Sequence, residues 1–162
     1  MHKEEKFTIL CSGWRYNCHS NVVALWVACC LIAFLAGCGA KEPFQHAAVS
    51  GKVTYDDGSP IPVDGLMLMF IPQTGPIDPK TYPRPGTAVI DKATGTFSSA
   101  TTHKANDGLV RGKHKVTLFA PNNRPLPPSV VPPEYGDPAK TPLEVDTANQ
   151  PFELKVRKPK PQ

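Results

Sequence analysis

Cys38 is the residue of this chain best placed to undergo covalent chemistry. It closes the tetrad Leu35-Ala36-Gly37-Cys38, in which two small residues separate it from an apolar run. A thiol reacts as its thiolate, and a small-residue pair is what a processing peptidase accepts. The other chemistry-bearing residues are less well arranged. His46, His103 and His114 show no His-x-x-Glu or His-Glu-x-x-His spacing, so neither a metal nor a cofactor is expected. No Gly-x-Ser-x-Gly elbow is present, and Asp56-Asp57-Gly58 reads as a turn rather than a calcium loop. The expectation is a chain with no catalytic residues.

Binding is better supplied than catalysis. Sugar rings stack on exposed aromatic side chains, yet both tryptophans, Trp14 and Trp26, precede Cys38. Tyr82 and Tyr135, each in a proline-rich loop, remain as candidate platforms for polysaccharide; local packing is the competing role for Tyr135. Met67, Met69 and Ile71 alternate with Leu66, Leu68 and Phe70. If the latter three face a core, the former make an apolar stripe on the opposite side. Either a long loop covers it or it is a contact face for another protein.

The element that carries Cys38 is the apolar segment before it. Positions 22–37 are almost wholly apolar, 16 residues in all. A spanning helix needs about 18–20 residues, whereas a secretory apolar region needs roughly 7–15 followed by a small-residue cleavage site. A signal-peptide helix over residues 1–37 is therefore expected. Its leading part is long and weakly basic, with Lys3, Lys6 and Arg15 against Glu4 and Glu5. An uncleaved anchor helix, and cleavage that leaves Cys38 a free thiol, stay open as alternatives. Cys11, Cys18, Cys29 and Cys30 all fall in this segment. The chain from Cys38 onward keeps that one cysteine and must be stable without disulfides.

The tetrad resembles the lipobox of bacterial lipoproteins. The resemblance implies that Cys38 is joined to lipid through its sulfur and becomes the first residue of the mature protein. The chain would then be membrane-anchored through that lipid, facing away from the cytoplasm, with residues 38–46 as a tether. Gly39 stands where an aspartate favours inner-membrane retention in enterobacterial lipoproteins, so the outer membrane is expected.

The 125 residues from Cys38 onward are enough for one domain. All 19 prolines lie there. Of 18 Lys/Arg and 14 Asp/Glu, 15 and 12 remain after the leading segment, spread along the chain, with a basic tail at residues 158–162. A mild, dispersed charge excludes nucleic acid as a sensible partner; an anionic envelope polymer could attract the tail.

No helical periodicity is present after Cys38. Period-two segments bounded by turn residues recur, which predicts seven strands in a one-face-buried antiparallel arrangement. They run over residues 49–55, 66–71, 87–90, 96–100, 109–120, 143–146 and 152–157. Two proline-rich loops, residues 72–85 and 121–142, interrupt them. Each X-Pro step there stiffens the backbone and removes a donor.

Val49-Ser50-Gly51-Lys52-Val53, the turn Asp57-Gly58 and Pro60 resemble the opening of carboxypeptidase-regulatory-like domains. Leu68 to Pro72, Asp91 to Phe97 and Gly112 to Val116 are similar to that family's later strands, with His114 where tyrosine is usual. Residues 133–138 and 141–143 resemble an ending common in small planctomycete lipoproteins. The resemblance covers residues 47–157. It implies an all-β, seven-stranded, antiparallel Greek-key sandwich, transthyretin-like in kind, serving binding, adhesion or scaffolding among envelope proteins or polysaccharide. A small enzyme of related fold and a glycan-binding module are the alternatives. Tyr82, Tyr135, His103 and His114 supply the ligand types of the related tyrosine–histidine iron enzymes without their spacing.

Overall fold

The structure is a computed structural model, and it describes residues 42–159. Residues 35–38, the signal segment and the end of the basic tail lie outside the described residues.

The alternating segments form strands. In chain order they are β1 (His46–Ala47), β2 (Gly51–Tyr55), β3 (Met67–Pro72), β4 (Gly86–Val89), β5 (Thr96–Phe97), β6 (Leu109–Val110), β7 (Lys113–Phe119), β8 (Glu144–Asp146) and β9 (Phe152–Val156). Two short 3-10 turns, Pro121–Asn123 and Pro133–Gly136, are the only helical segments among the described residues. The protein is all-β. Three sheets form, with strand orders β1-β6, β5-β2-β9 and β4-β3-β7-β8.

Side-chain alternation explains which faces are buried. In β9, Phe152, Leu154 and Val156 are buried while Glu153 and Lys155 are exposed. In β3, Leu68 and Phe70 are buried between half-buried Met67, Met69 and Ile71. The inner faces of the two larger sheets meet at Phe70, whose ring lies 5.9 Å from Phe97 and 6.1 Å from Phe152. Tilted rings at this separation add directional contact to the burial of apolar area, which is worth about 1.5–3 kcal/mol per large side chain.

Three features differ from the seven-strand antiparallel expectation. First, β2 and β9 pair in parallel, in register from Gly51 with Phe152 to Tyr55 with Val156. Alternation reports which face a residue takes and is silent on strand direction. Second, the expected strand over 109–120 is two strands. Gly112, at φ 122, breaks it, so that β6 pairs with β1 while β7 pairs with β3 and β8. Third, the compact unit begins at Glu42, and His46, expected in the tether, is paired with Val110. Nine strands are therefore present among the described residues.

The loop over 121–142 is packed rather than loose. Tyr135 and Val131 join the core, with Leu126 and Val130 against it. The Tyr55 hydroxyl donates to the Val130 carbonyl at 2.8 Å. The Arg157 backbone N–H, just past β9, donates to the Tyr135 hydroxyl at 2.9 Å.

Candidate binding cleft

Three stretches far apart in sequence converge on one open cleft of about 530 Å³. Glu42, Pro43 and Phe44 form one wall, residues 80–85 a second, and His103 closes it. It lies at the end of the domain where β3 finishes and β4 begins.

Each wall has a physical reason for its place. Along residues 78–81 the chain turns on Asp78. Its carboxylate accepts the Lys80 N–H at 2.8 Å and the Thr81 hydroxyl at 2.8 Å, and these bonds hold it below the usual carboxylate range. Pro83 and Pro85 then fix the backbone on either side of Arg84. The loop bearing His103 is wound around Asp107, which accepts the backbone N–H groups of Thr102, His103 and Lys104 at 2.7, 2.9 and 2.8 Å. Burial pushes the Asp107 carboxyl up, but those three donors outweigh it and keep it low. The first wall is held by β1 and by the Arg111 N–H, which donates to the Gln45 carbonyl at 2.9 Å. Gly108, at φ +87, lets that loop approach so closely that a Cβ there would strike the Ala47 carbonyl.

Tyr82 is 63% exposed on this cleft. Arg84 and Lys80 are exposed beside it. The Arg84 Nη1 lies 3.1 Å from the His103 Nδ1. A guanidinium can only donate, so Nδ1 accepts and the imidazole carries its proton on Nε2. The result is a ring face beside two cations and a third donor. Such a site suits a carboxylate or phosphate group on a bulky carrier.

The remaining sequence-derived sites lie elsewhere. Leu35, Ala36, Gly37 and Cys38 are outside the described residues. Tyr135 is 4% exposed with its hydroxyl occupied, so it packs the core and presents no platform. Met67 and Met69 point away from the core and are half-buried. Thr117, beside Met69, is fully buried, while Val89, opposite Met67, is 63% exposed. The stripe is thus part covered and part open. His114 is buried, with its ring edge-on to Phe70 at 6.5 Å. Its Nδ1–H donates to the Gly112 carbonyl at 3.1 Å, and its buried Nε2 has no partner. Burial pushes its pKa down. Among the described residues no group of three His, Cys, Asp or Glu is placed to hold a metal ion, and no helix is long and apolar enough to cross a membrane.

Phe44, Lys80, Arg84 and His103 were not legible as one site in the sequence. The nearest signal was Tyr82-Pro83-Arg84-Pro85, an aromatic and a cation each followed by proline.

Comparison with known proteins returned no matching family model, no curated relative and no similar solved structure.

Proposed function

We propose that this chain is an exported lipoprotein, anchored to a bacterial membrane through Cys38, whose β-domain is a non-catalytic binding and scaffolding module of the envelope. The domain is a Greek-key sandwich of the transthyretin-like, carboxypeptidase-regulatory-like kind; the meeting of the two larger sheets at Phe70, Phe97 and Phe152 supports this.

One observation carries the binding part: the exposed Tyr82 ring shares a cleft with Lys80, Arg84 and His103. The ligand chemistry is an anionic group, carboxylate or phosphate, carried on an envelope polymer or lipid. Two measurements test the reading. Mass spectrometry of the mature N-terminus should find Cys38 with a diacylglyceryl thioether; an unprocessed Met1 would refute the anchor. Retention on immobilised polygalacturonate should exceed retention on neutral dextran and fall at high salt. The double variant Lys80→Gln, Arg84→Gln should lose at least tenfold. Equal retention on acidic and neutral supports, or a variant that binds like wild type, would refute the cleft.

A further inference from the structure

Glu42, Pro43 and Phe44, which line the cleft, are also the first described residues after Cys38. Only Gly39, Ala40 and Lys41 stand between Cys38 and Glu42, a span of four residue steps. An extended chain covers at most about 3.6 Å per residue, so Glu42, the near end of that wall, stays within about 14 Å of the cysteine. If Cys38 sits in a lipid surface, the cleft can reach that surface.

The cleft's composition matches what it would meet there. Lys80 and Arg84 are exposed, and neither takes part in an ion pair among the described residues. The cations that do, Lys92, Lys140, Arg157 and Lys158, lie outside the cleft. Tyr82 and Phe44 supply aromatic rings of the kind that settle at headgroup depth. Glu42 is the one acidic residue of the lining, and the neighbouring Asp78 carboxylate is already engaged by Lys80 N–H and Thr81. The opposite end of the domain is marked by the Lys92–Asp64 pair and by Ile90 N–H bonded to the Leu66 carbonyl.

We infer that the Tyr82 cleft is a docking surface for the anionic headgroups of the membrane to which Cys38 is tethered, so that the domain lies with this end on the lipid. The inference rests on the lipoprotein reading above and names the source of the anionic group. A free acidic polysaccharide offers similar charge, but the short tether favours the lipid, because it keeps the local concentration of headgroups near the cleft high. Each cation near an anionic leaflet strengthens such contact about fivefold.

The mature chain has no tryptophan, so one introduced tryptophan reports alone. The lipidated protein is reconstituted into phosphatidylglycerol or phosphatidylcholine vesicles, each with and without brominated acyl chains. Tyr82→Trp should be blue-shifted and quenched several-fold by brominated lipid in phosphatidylglycerol and hardly at all in phosphatidylcholine. Ala93→Trp, an exposed position in the turn after β4, should respond to neither. Adding Lys80→Gln and Arg84→Gln to Tyr82→Trp should weaken the association by about 25-fold, the product of two fivefold effects, and bring the quench down to the phosphatidylcholine level. Equal signals in the two lipids, or equal quenching at positions 82 and 93, would overturn the docking. Retention on polygalacturonate without a vesicle signal would overturn it too, and would assign the cleft to polysaccharide while the anion-binding reading stands. A mature N-terminus lacking the thioether would instead remove the anchored reading beneath it.

Discussion

His114 makes the stability of this domain depend on pH in a window that belongs to no other group with a shifted pKa. Its ring is 1% exposed, its Nδ1–H is held by the Gly112 carbonyl, and its Nε2 faces the interior without a partner. A proton on Nε2 would therefore be buried unsolvated, and burial holds the folded pKa below the ordinary value of about 6.5; the Gly112 carbonyl and Asp146 pull weakly the other way. Below pH 6.5 the unfolded chain gains a proton that the folded chain refuses. The stabilisation is complete above pH 6.5 and drains away as pH falls, until the folded pKa is reached. One proton sets the greatest slope at about 1.4 kcal/mol per pH unit. The lowered carboxyl pKa values of Asp57, Asp78, Asp91, Asp107 and Asp137 act only around and below the carboxylate range, near pH 4. Urea unfolding between pH 7.5 and 5 isolates the histidine. Wild type should weaken at constant m-value. His114→Phe should keep the edge-on contact with Phe70, lose about 1 kcal/mol at pH 7.5 with the hydrogen bond to the Gly112 carbonyl, which keeps the Thr147 N–H as its other donor, and show a flat profile down to pH 5. A wild-type profile already flat across that range, or a variant with the wild-type slope, would refute the assignment.

Two smaller perturbations probe the loops. Tyr135→Phe keeps the buried ring but strands the Arg157 N–H; the urea midpoint should fall by the equivalent of about 1 kcal/mol, and no change would mean that water replaces the hydroxyl. Asp107→Ala removes the acceptor shared by three backbone N–H groups. Hydrogen exchange at Thr102, His103 and Lys104 should quicken by at least tenfold while that of Val116 and Leu118 stays slow; uniform quickening would refute a purely local role.

Much of the core was legible because period-two burial is written directly into residue type. Phe152, Leu154 and Val156 against Glu153 and Lys155, and Leu68 and Phe70 against the methionines, lie as their spacing predicts. His114 shares the buried face of Val116 and Leu118, also as its spacing predicts. Partnership was less legible. Two-residue strands such as His46–Ala47 are too short to show a period, so His46 looked like the end of the tether. Gly112 hid a break inside an apparently continuous strand. The cleft was illegible for a related reason: residues 42–44, 80–85 and 103 become neighbours only through the pairing of β1 with β6 and the winding of the chain around Asp107. Tyr82 could be singled out by type, but the cations beside it are ordinary surface residues until the fold gathers them.

The parallel pairing of β2 with β9 sets an order on the birth of the domain. The Lys155 ammonium lies 3.0 Å from the Thr54 hydroxyl, across 101 positions of chain. During synthesis β2 waits, with one edge unpaired, until nearly the whole domain has been made. Contacts of such separation make folding slow and late. A nascent chain that cannot close its three-stranded sheet early keeps an open strand edge exposed to chaperones and to other nascent copies throughout that interval.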